Sequence, residues 1–260
     1  MITIPTTSGT GAEVTWAIVL TDTEERRKIG TNNRELVADI AIVDPEMAAS
    51  MPPWLTADTG LDALTHAVEG YTSTVANDMS DGLCLCAART VFAHLPRAVA
   101  DGSDMEARER MHNAATIAGL GFGNSQASLA HGMGHTLGAV FHVPHGRSVA
   151  LFLPYTVEFI ARESPKRFAE MAAFVGCSNE GGDKAARALA AHIRDLCRQV
   201  GNPTSVAETG IERAAYEAQM DKLVDDSLND TSTIFSTRTP SFDEAHQLFL
   251  YAYDGRSVDF

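Results

Sequence analysis

The run AHGMGHTLGAVFHVPHG, residues 130–146, carries four of the chain's nine histidines: His131, His135, His142 and His145. Imidazoles concentrated on an apolar, glycine-rich stretch are poorly explained by packing alone and suit binding of a divalent cation, proton transfer, or both. His131 and His135 are four residues apart, so on a helix they share one face, about 40° apart around the axis. His145 follows Pro144, which makes Val143 extended and marks a helix boundary. A chain that leaves one helix, turns over 142–144 and starts another can bring His145 back beside His131. Solvent-facing or hydrogen-bonded histidines are the competing explanation on these residues alone.

A second stretch, TGLDALTHAVEGY (59–71), sets Asp62 and His66 at i,i+4 on an otherwise apolar helix of Leu61, Ala63, Leu64, Ala67 and Val68. Aspartate is a poor mid-helix residue and expensive to bury without a partner. A bound cation offsets that expense, and one carboxylate with several imidazoles suits iron or zinc better than calcium or magnesium. The competing explanation for Asp62 is a favourable charge near the helix N-terminus.

The elements that must hold these residues divide into two kinds. Residues 1–50 read as strand and turn: Ile2–Ile4, then Val14–Leu20 with a turn at 22–25 and a return arm over 26–29, then a short buried strand at 39–43 stopped by Pro45. From Pro52 the pattern turns helical. Thr56 is a candidate N-cap for a helix to about Tyr71, and Asp78 or Ser80 opens another that ends at Asp101-Gly102. Further helices are predicted over 104–120, 125–139, 146–162, 164–175, 182–200, 212–228 and 241–253. The run Gly119-Leu120-Gly121-Phe122-Gly123 ends a helical stretch with no strand before it, and so reads as a close packing site rather than a nucleotide fingerprint.

With 260 residues, 45% hydrophobic, the chain can bury a substantial core, and its net charge of −14 argues against a nucleic-acid or anionic-membrane partner. No window approaches about 18 uninterrupted apolar residues, as a membrane span requires. Cys84, Cys86, Cys177 and Cys197 form no regularly spaced framework, which points to reduced thiols and a cytoplasmic protein. The loop PTTSGTGAEVT (5–15) after the first strand can offer amides and hydroxyls to a phosphate or ribose, or be a plain polar loop.

Five stretches in order, IPTTSGTGAEVT (4–15), AIVDPEM (41–47), MPPWLTADTGLDALTHAVEGY (51–71), ASLAHGMGHTLGAVFHVPHG (127–146) and LFLYAYDGRSVDF (248–260), carry a resemblance. On them the sequence resembles the iron-containing (group III, metal-dependent) alcohol dehydrogenases, which have the dehydroquinate synthase-like fold. The resemblance implies a mainly α fold. Residues 52–260 would be the all-helical metal-binding catalytic domain, and residues 1–51 a strand and hairpin remnant of the α/β nucleotide-binding domain. It implies a divalent metal, Fe2+ ahead of Zn2+, held by Asp62, His66, His131 and His145. His135 would stand near metal and substrate, outside the ligand set, as the candidate proton relay, with His142 a pocket or loop residue. Thr6, Thr7, Thr15 and Lys28, with residues near Met47 and Met51, would contact NAD or NADP. The implied reaction is hydride transfer between a primary alcohol or aldehyde and the nicotinamide, by a homo-oligomer such as a dimer. Phe122, Phe141 and His142 are candidate pocket residues that set the alcohol.

Measured against that family, the chain is expected to be N-terminally truncated, lacking the strand and GGGS-type turn that grip pyrophosphate. Apolar strand edges would then be left open, and nucleotide affinity would be weak. A shortened gene product, a C-terminal portion and one half of a split enzyme are the competing explanations. Two other functions stay open: a metal-dependent hydrolase using the Asp/His3 set, and a non-catalytic metal-binding fragment.

Overall fold

Pro53 occupies the first turn of helix α1 (Pro53–Thr72), where a missing N–H is no loss, and Pro52 before it is extended. The structure, a computed structural model, describes residues 1–260. Helix α1 is the axis of the molecule: from Thr56 to Thr72 every residue but Thr59 is buried. A helix covered all round must satisfy its own polar groups, and the hydroxyls of Thr65 and Thr72 donate back to the Leu61 and Val68 carbonyls. Thr56 was expected to cap this helix. It lies inside instead and donates to the Pro52 carbonyl, because the paired prolines already set the start one turn earlier.

Around α1 pack α2 (Asp78–Ala100), α3 (Met105–Phe122), α4 (Leu129–Phe141), α5 (His145–Ile160) and α6 (Pro165–Phe174). Asn77 opens α2 with a capping box reciprocated by Ser80, so of the two residues expected at that start Ser80 belongs to the box and Asp78 is the first helical residue, and neither is the cap. By length and mean hydropathy α2 passes the test for a membrane span. It lies against α1 and α3, burying Cys84, Ala87, Val91 and Leu95. Helices α7 (Gly182–Gln199) and α10 (Phe242–Asp254) close the far side of the core, where the buried Glu158 carboxylate takes both arms of Arg194 at 2.7 and 3.0 Å and the Val258 amide at 2.8 Å.

The predicted helix over 212–228 is two, α8 (Arg213–Glu217) and α9 (Met220–Leu228). Gln219 leaves helical dihedrals and its N–H bonds the Tyr216 carbonyl three residues back. The apolar spacing through Tyr216, Met220, Leu223 and Val224 runs unbroken across the kink, so periodicity carried no sign of it.

Strands occupy only the first part of the chain. β1 (Ile2–Thr3) pairs in parallel with β4 (Ile40–Ala41), and β2 (Ala17–Asp22) forms an antiparallel hairpin with β3 (Arg27–Asn32). Asp22 shapes the hairpin turn by accepting from the Glu24 and Glu25 amides. The strand expected to be buried at 39–43 is not: Ile40 is 53% exposed, because its sheet has two strands only and nothing covers its outer face. Between β1 and β2 the Thr/Ser/Gly loop lies on α3, through Ser8 Oγ to His112 Nδ1 at 2.9 Å and Thr116 Oγ1 to Glu13 at 2.5 Å. Gly11, at φ +60°, meets Gly119 so closely that a Cβ on Gly119 would sit 2.8 Å from the Gly11 Cα. The glycine run at the end of α3 is thus a packing site, as its sequence context indicated.

Candidate metal centre

Helix α1 delivers Asp62 and His66 one turn apart on one face, and α4 does the same for His131 and His135. Asp62 is the tenth residue of α1, too far in for the helix-terminus explanation of its charge. The reversal between α4 and α5 is tight. His142 adopts the left-handed conformation (φ 59°) and its N–H closes on the Gly138 carbonyl. Pro144 is then extended, and His145 starts α5. That turn sets the His145 ring 5.5 Å from the His131 ring, as the proline spacing predicted.

One carboxylate oxygen is the focus. Asp62 Oδ1 lies 3.4 Å from His145 Nε2, 3.7 Å from His131 Nε2 and 3.8 Å from His66 Nε2. Donors bound about 2.0–2.2 Å from one ion stand roughly 3.3–3.6 Å apart at tetrahedral corners. The ligand atoms of Asp62, His131 and His145 all lie within 4.8 Å of one another, which suits a first-row divalent ion. His66 stands just outside that group, while its Nε2 stays 3.8 Å from Asp62 Oδ1. Asp62 Oδ1 and His131 Nε2 are buried and have no hydrogen-bond partner. Polar atoms left without a partner are costly in a protein interior, and a shared cation resolves both together. The donor set is mixed nitrogen and oxygen, which suits iron or zinc. The residues present therefore fit the metal.

The electrostatics agree. Burial works against the Asp62 anion, but the imidazoles of His66, His145 and His131 outweigh it and hold the carboxyl well below the usual range. Burial pushes His66 down to about 3, leaving it neutral. For His131 burial is outweighed by the Glu69 and Asp62 carboxylates, which raise it to about 10. Without metal these two rings act on stability in opposite directions. An unfolded imidazole takes a proton below about 6.5, whereas folded His66 refuses it until about 3, so its contribution shrinks as pH falls through that window. Folded His131 keeps a proton that the unfolded chain gives up, so its contribution is full below about 6.5 and is lost as pH rises toward 10. Chelator-treated protein is expected to be most stable near pH 6.5, in urea titrations from pH 4 to 9. A profile that only climbs or only falls would contradict this.

The centre forms one wall of a cavity of about 330 Å³. Phe122 stacks on His66 at 4.0 Å with an 8° interplanar angle, and Thr15 and Lys28 also line the cavity. His135 also lines it. Its Nδ1 is 2.8 Å from Asp230 Oδ2, whose other oxygen accepts from the Ser232 amide, and its Nε2 is buried without a partner. Of the residues implied for the dinucleotide, Thr15 and Lys28 reach this cavity. Thr6, Thr7, Met47 and Met51 stand outside it, and Met51 is buried, its carbonyl accepting from Arg108. Phe141 and His142 do not share this cavity with Phe122. They line a separate one with Arg147 and Asn202, because α4 carries its C-terminal end away from the ligands.

Two carboxylates went unnoticed in the sequence. Glu69, three residues past His66, accepts from His131 Nδ1 at 2.5 Å. An acid on an apolar helix, in step with Asp62 and His66, was the available sign. Asp230 sits in the loop after α9 with no such sign.

Two family profiles match this chain: "Iron-containing alcohol dehydrogenase" over residues 1–45 and "Fe-containing alcohol dehydrogenase family, C-terminal" over residues 56–253. The chain belongs to the iron-containing alcohol dehydrogenase family. It is 36% identical over 259 residues to an NADPH-dependent butanol dehydrogenase of Clostridium saccharobutylicum, covering 100% of this chain and 66% of that protein. It is 40% identical over 235 residues to a 1-propanol dehydrogenase of Citrobacter freundii, covering 89% and 64%. Among solved structures, an iron-containing alcohol dehydrogenase from Thermococcus thioreducens superposes with a TM-score of 0.88 at 34% identity, covering 98% of this chain and 65% of that one. A 1,3-propanediol oxidoreductase gives 0.90 at 33%, covering 97% and 65%. The chain thus spans about two thirds of these relatives, and its helical part has the architecture of the C-terminal domain of the dehydroquinate synthase-like fold.

Proposed function

We propose that this chain is the metal-holding catalytic portion of an NAD(P)-dependent dehydrogenase acting on small primary alcohols and aldehydes, with Fe2+ as its ion. The observation that carries the reading is the meeting of Asp62 and three imidazoles at the wall of a cavity that Thr15 and Lys28 also line. When bound, the ion would polarise the alcohol oxygen and lower its pKa, and the nicotinamide would exchange hydride with the carbinol carbon. Asp62, His66, His131 and His145 hold the ion. Phe122, flat against His66, supplies an apolar surface for the carbon chain and keeps water from that side. Thr15 and Lys28 orient the nicotinamide end of the nucleotide. His135 takes up or returns the alcohol proton at Nε2, with its Nδ1–H donated to Asp230 so that Nε2 is free to accept. A cytoplasmic location and a dimeric assembly belong to the same proposal. The four unpaired cysteines support the location.

The test is nicotinamide reduction by Fe2+-loaded, anaerobic protein at millimolar NAD or NADP with a series of primary alcohols. Alcohol-dependent formation of reduced nucleotide that chelation abolishes supports the reading. Turnover of an ester without nicotinamide would favour a hydrolase instead, and metal uptake without either activity a binding fragment. His135→Ala is expected to lower turnover by about 10²-fold, the lower range for acid–base groups, and to alter its pH dependence while leaving metal content intact. Unchanged turnover removes His135 from the reaction.

A further inference from the structure

Glu69 is buried on α1, in register with Asp62 and His66, and divides its two oxygens between tasks. Oε1 accepts from the Ala130 amide at 2.6 Å, Ser128 Oγ at 3.1 Å and the His131 amide at 3.3 Å. These donors belong to the opening of α4, a helix start with no side-chain cap of its own. Oε2 faces His131 Nδ1 at 2.5 Å. A carboxylate only accepts, so the ring must donate from Nδ1. In the neutral ring Nε2 then carries the lone pair, and that atom is the buried, partnerless one turned toward Asp62.

From this geometry we infer that Glu69 is a positioning residue of the metal centre: it fixes the tautomer and direction of His131 and, with the same carboxylate, locks the start of α4 to α1. Helix α1 thereby contributes to the site three times, twice through its own ligands and once through the ring it steers on a neighbouring helix. His66 receives no such help. Its Nδ1 has no partner, and its ring is held by stacking between Phe122 at 4.0 Å and His131 at 4.6 Å. The inference rests on the metal reading above.

Glu69→Gln separates the two tasks. The glutamine carbonyl can still accept from the α4 amides, but its NH2 group faces Nδ1 as a donor. The ring proton is then driven to Nε2, where it blocks the lone pair. Zn2+ affinity, measured by competition with a chromophoric chelator, is expected to fall about 10- to 100-fold, the usual range for partners of metal-bound histidines. The circular dichroism of the metal-free variant is expected to match the parent. A residue serving only as a helix cap would shift thermal stability and leave Zn2+ affinity alone, and that result overturns the inference. Parent protein that takes up no Zn2+ sinks the metal reading and this inference with it, whereas equal uptake by parent and variant sinks this inference only. Should the variant not fold, nitrogen-15 NMR of the histidine rings in the Zn2+-loaded parent decides: a proton on Nδ1 of His131 supports the role of Glu69, and an unprotonated Nδ1 overturns it.

Discussion

Asp62→Asn is expected to abolish stoichiometric metal binding while leaving the fold in place. The substitution keeps shape and volume, removes the charge and replaces one acceptor oxygen by an NH2 donor. Asp62 is the one anion among the four ligands, and its Oδ1 is the atom that all three Nε2 positions surround at 3.4–3.8 Å. Losing a partner of a bound histidine lowers affinity about 10- to 100-fold, so losing the charged ligand itself is expected to exceed about 100-fold. The metal-free protein is expected to lose stability as well, because the surrounding imidazoles favour the Asp62 anion and His131 loses one of the two carboxylates that raise it. Chelator competition and thermal scans with and without Zn2+ check both halves. In the parent, added metal raises Tm by mass action; in the variant that shift vanishes. Undiminished metal content in Asp62→Asn would place the ion elsewhere.

Gly146→Ala is expected to damage both the fold and the site through one methyl group. A Cβ at this position would sit 2.2 Å from the Asp58 carbonyl oxygen and 2.8 Å from its carbon. Both atoms are α1 backbone, so no side chain can rotate away. The start of α5 must retreat from α1, and His145, the preceding residue, retreats from Asp62 with it. Overpacking of this kind costs about 1–3 kcal/mol. In a chain of this size that lowers Tm by roughly 2–10 °C, and Zn2+ affinity is expected to fall in parallel. Gly82→Ala is the control. It lies within α2 with nothing inside 4 Å of the added methyl, so the alanine is expected to raise stability by up to about 1 kcal/mol. Parent-like Tm and metal affinity in Gly146→Ala would mean that the contact between α1 and α5 does not hold His145.

Much of this was written locally. The i,i+4 pairs Asp62/His66 and His131/His135 depend on helical geometry alone, and Pro144 marks the reversal that returns His145. The crowding of Gly119 followed from glycines ending a helix with no strand before it. Other features depend on partners far along the chain. Glu69 reads as one more helix acid until α4 is laid across it, and Asp230 gains meaning only from His135, 95 residues earlier. Phe141 and His142 looked like neighbours of Phe122 because their own helix also carries ligands, yet they face another cavity.

By itself, then, the sequence determined which residues offer donors and which helix faces present them, since side-chain direction within an element follows from backbone dihedrals and spacing, while its ordered motifs carried the resemblance to the family. Only the tertiary structure decided how the helices cross, and so which carboxylate meets His131, which one meets His135, and which aromatic ring stacks on His66. Those pairings arise from close packing between segments distant in the chain, which local periodicity does not encode.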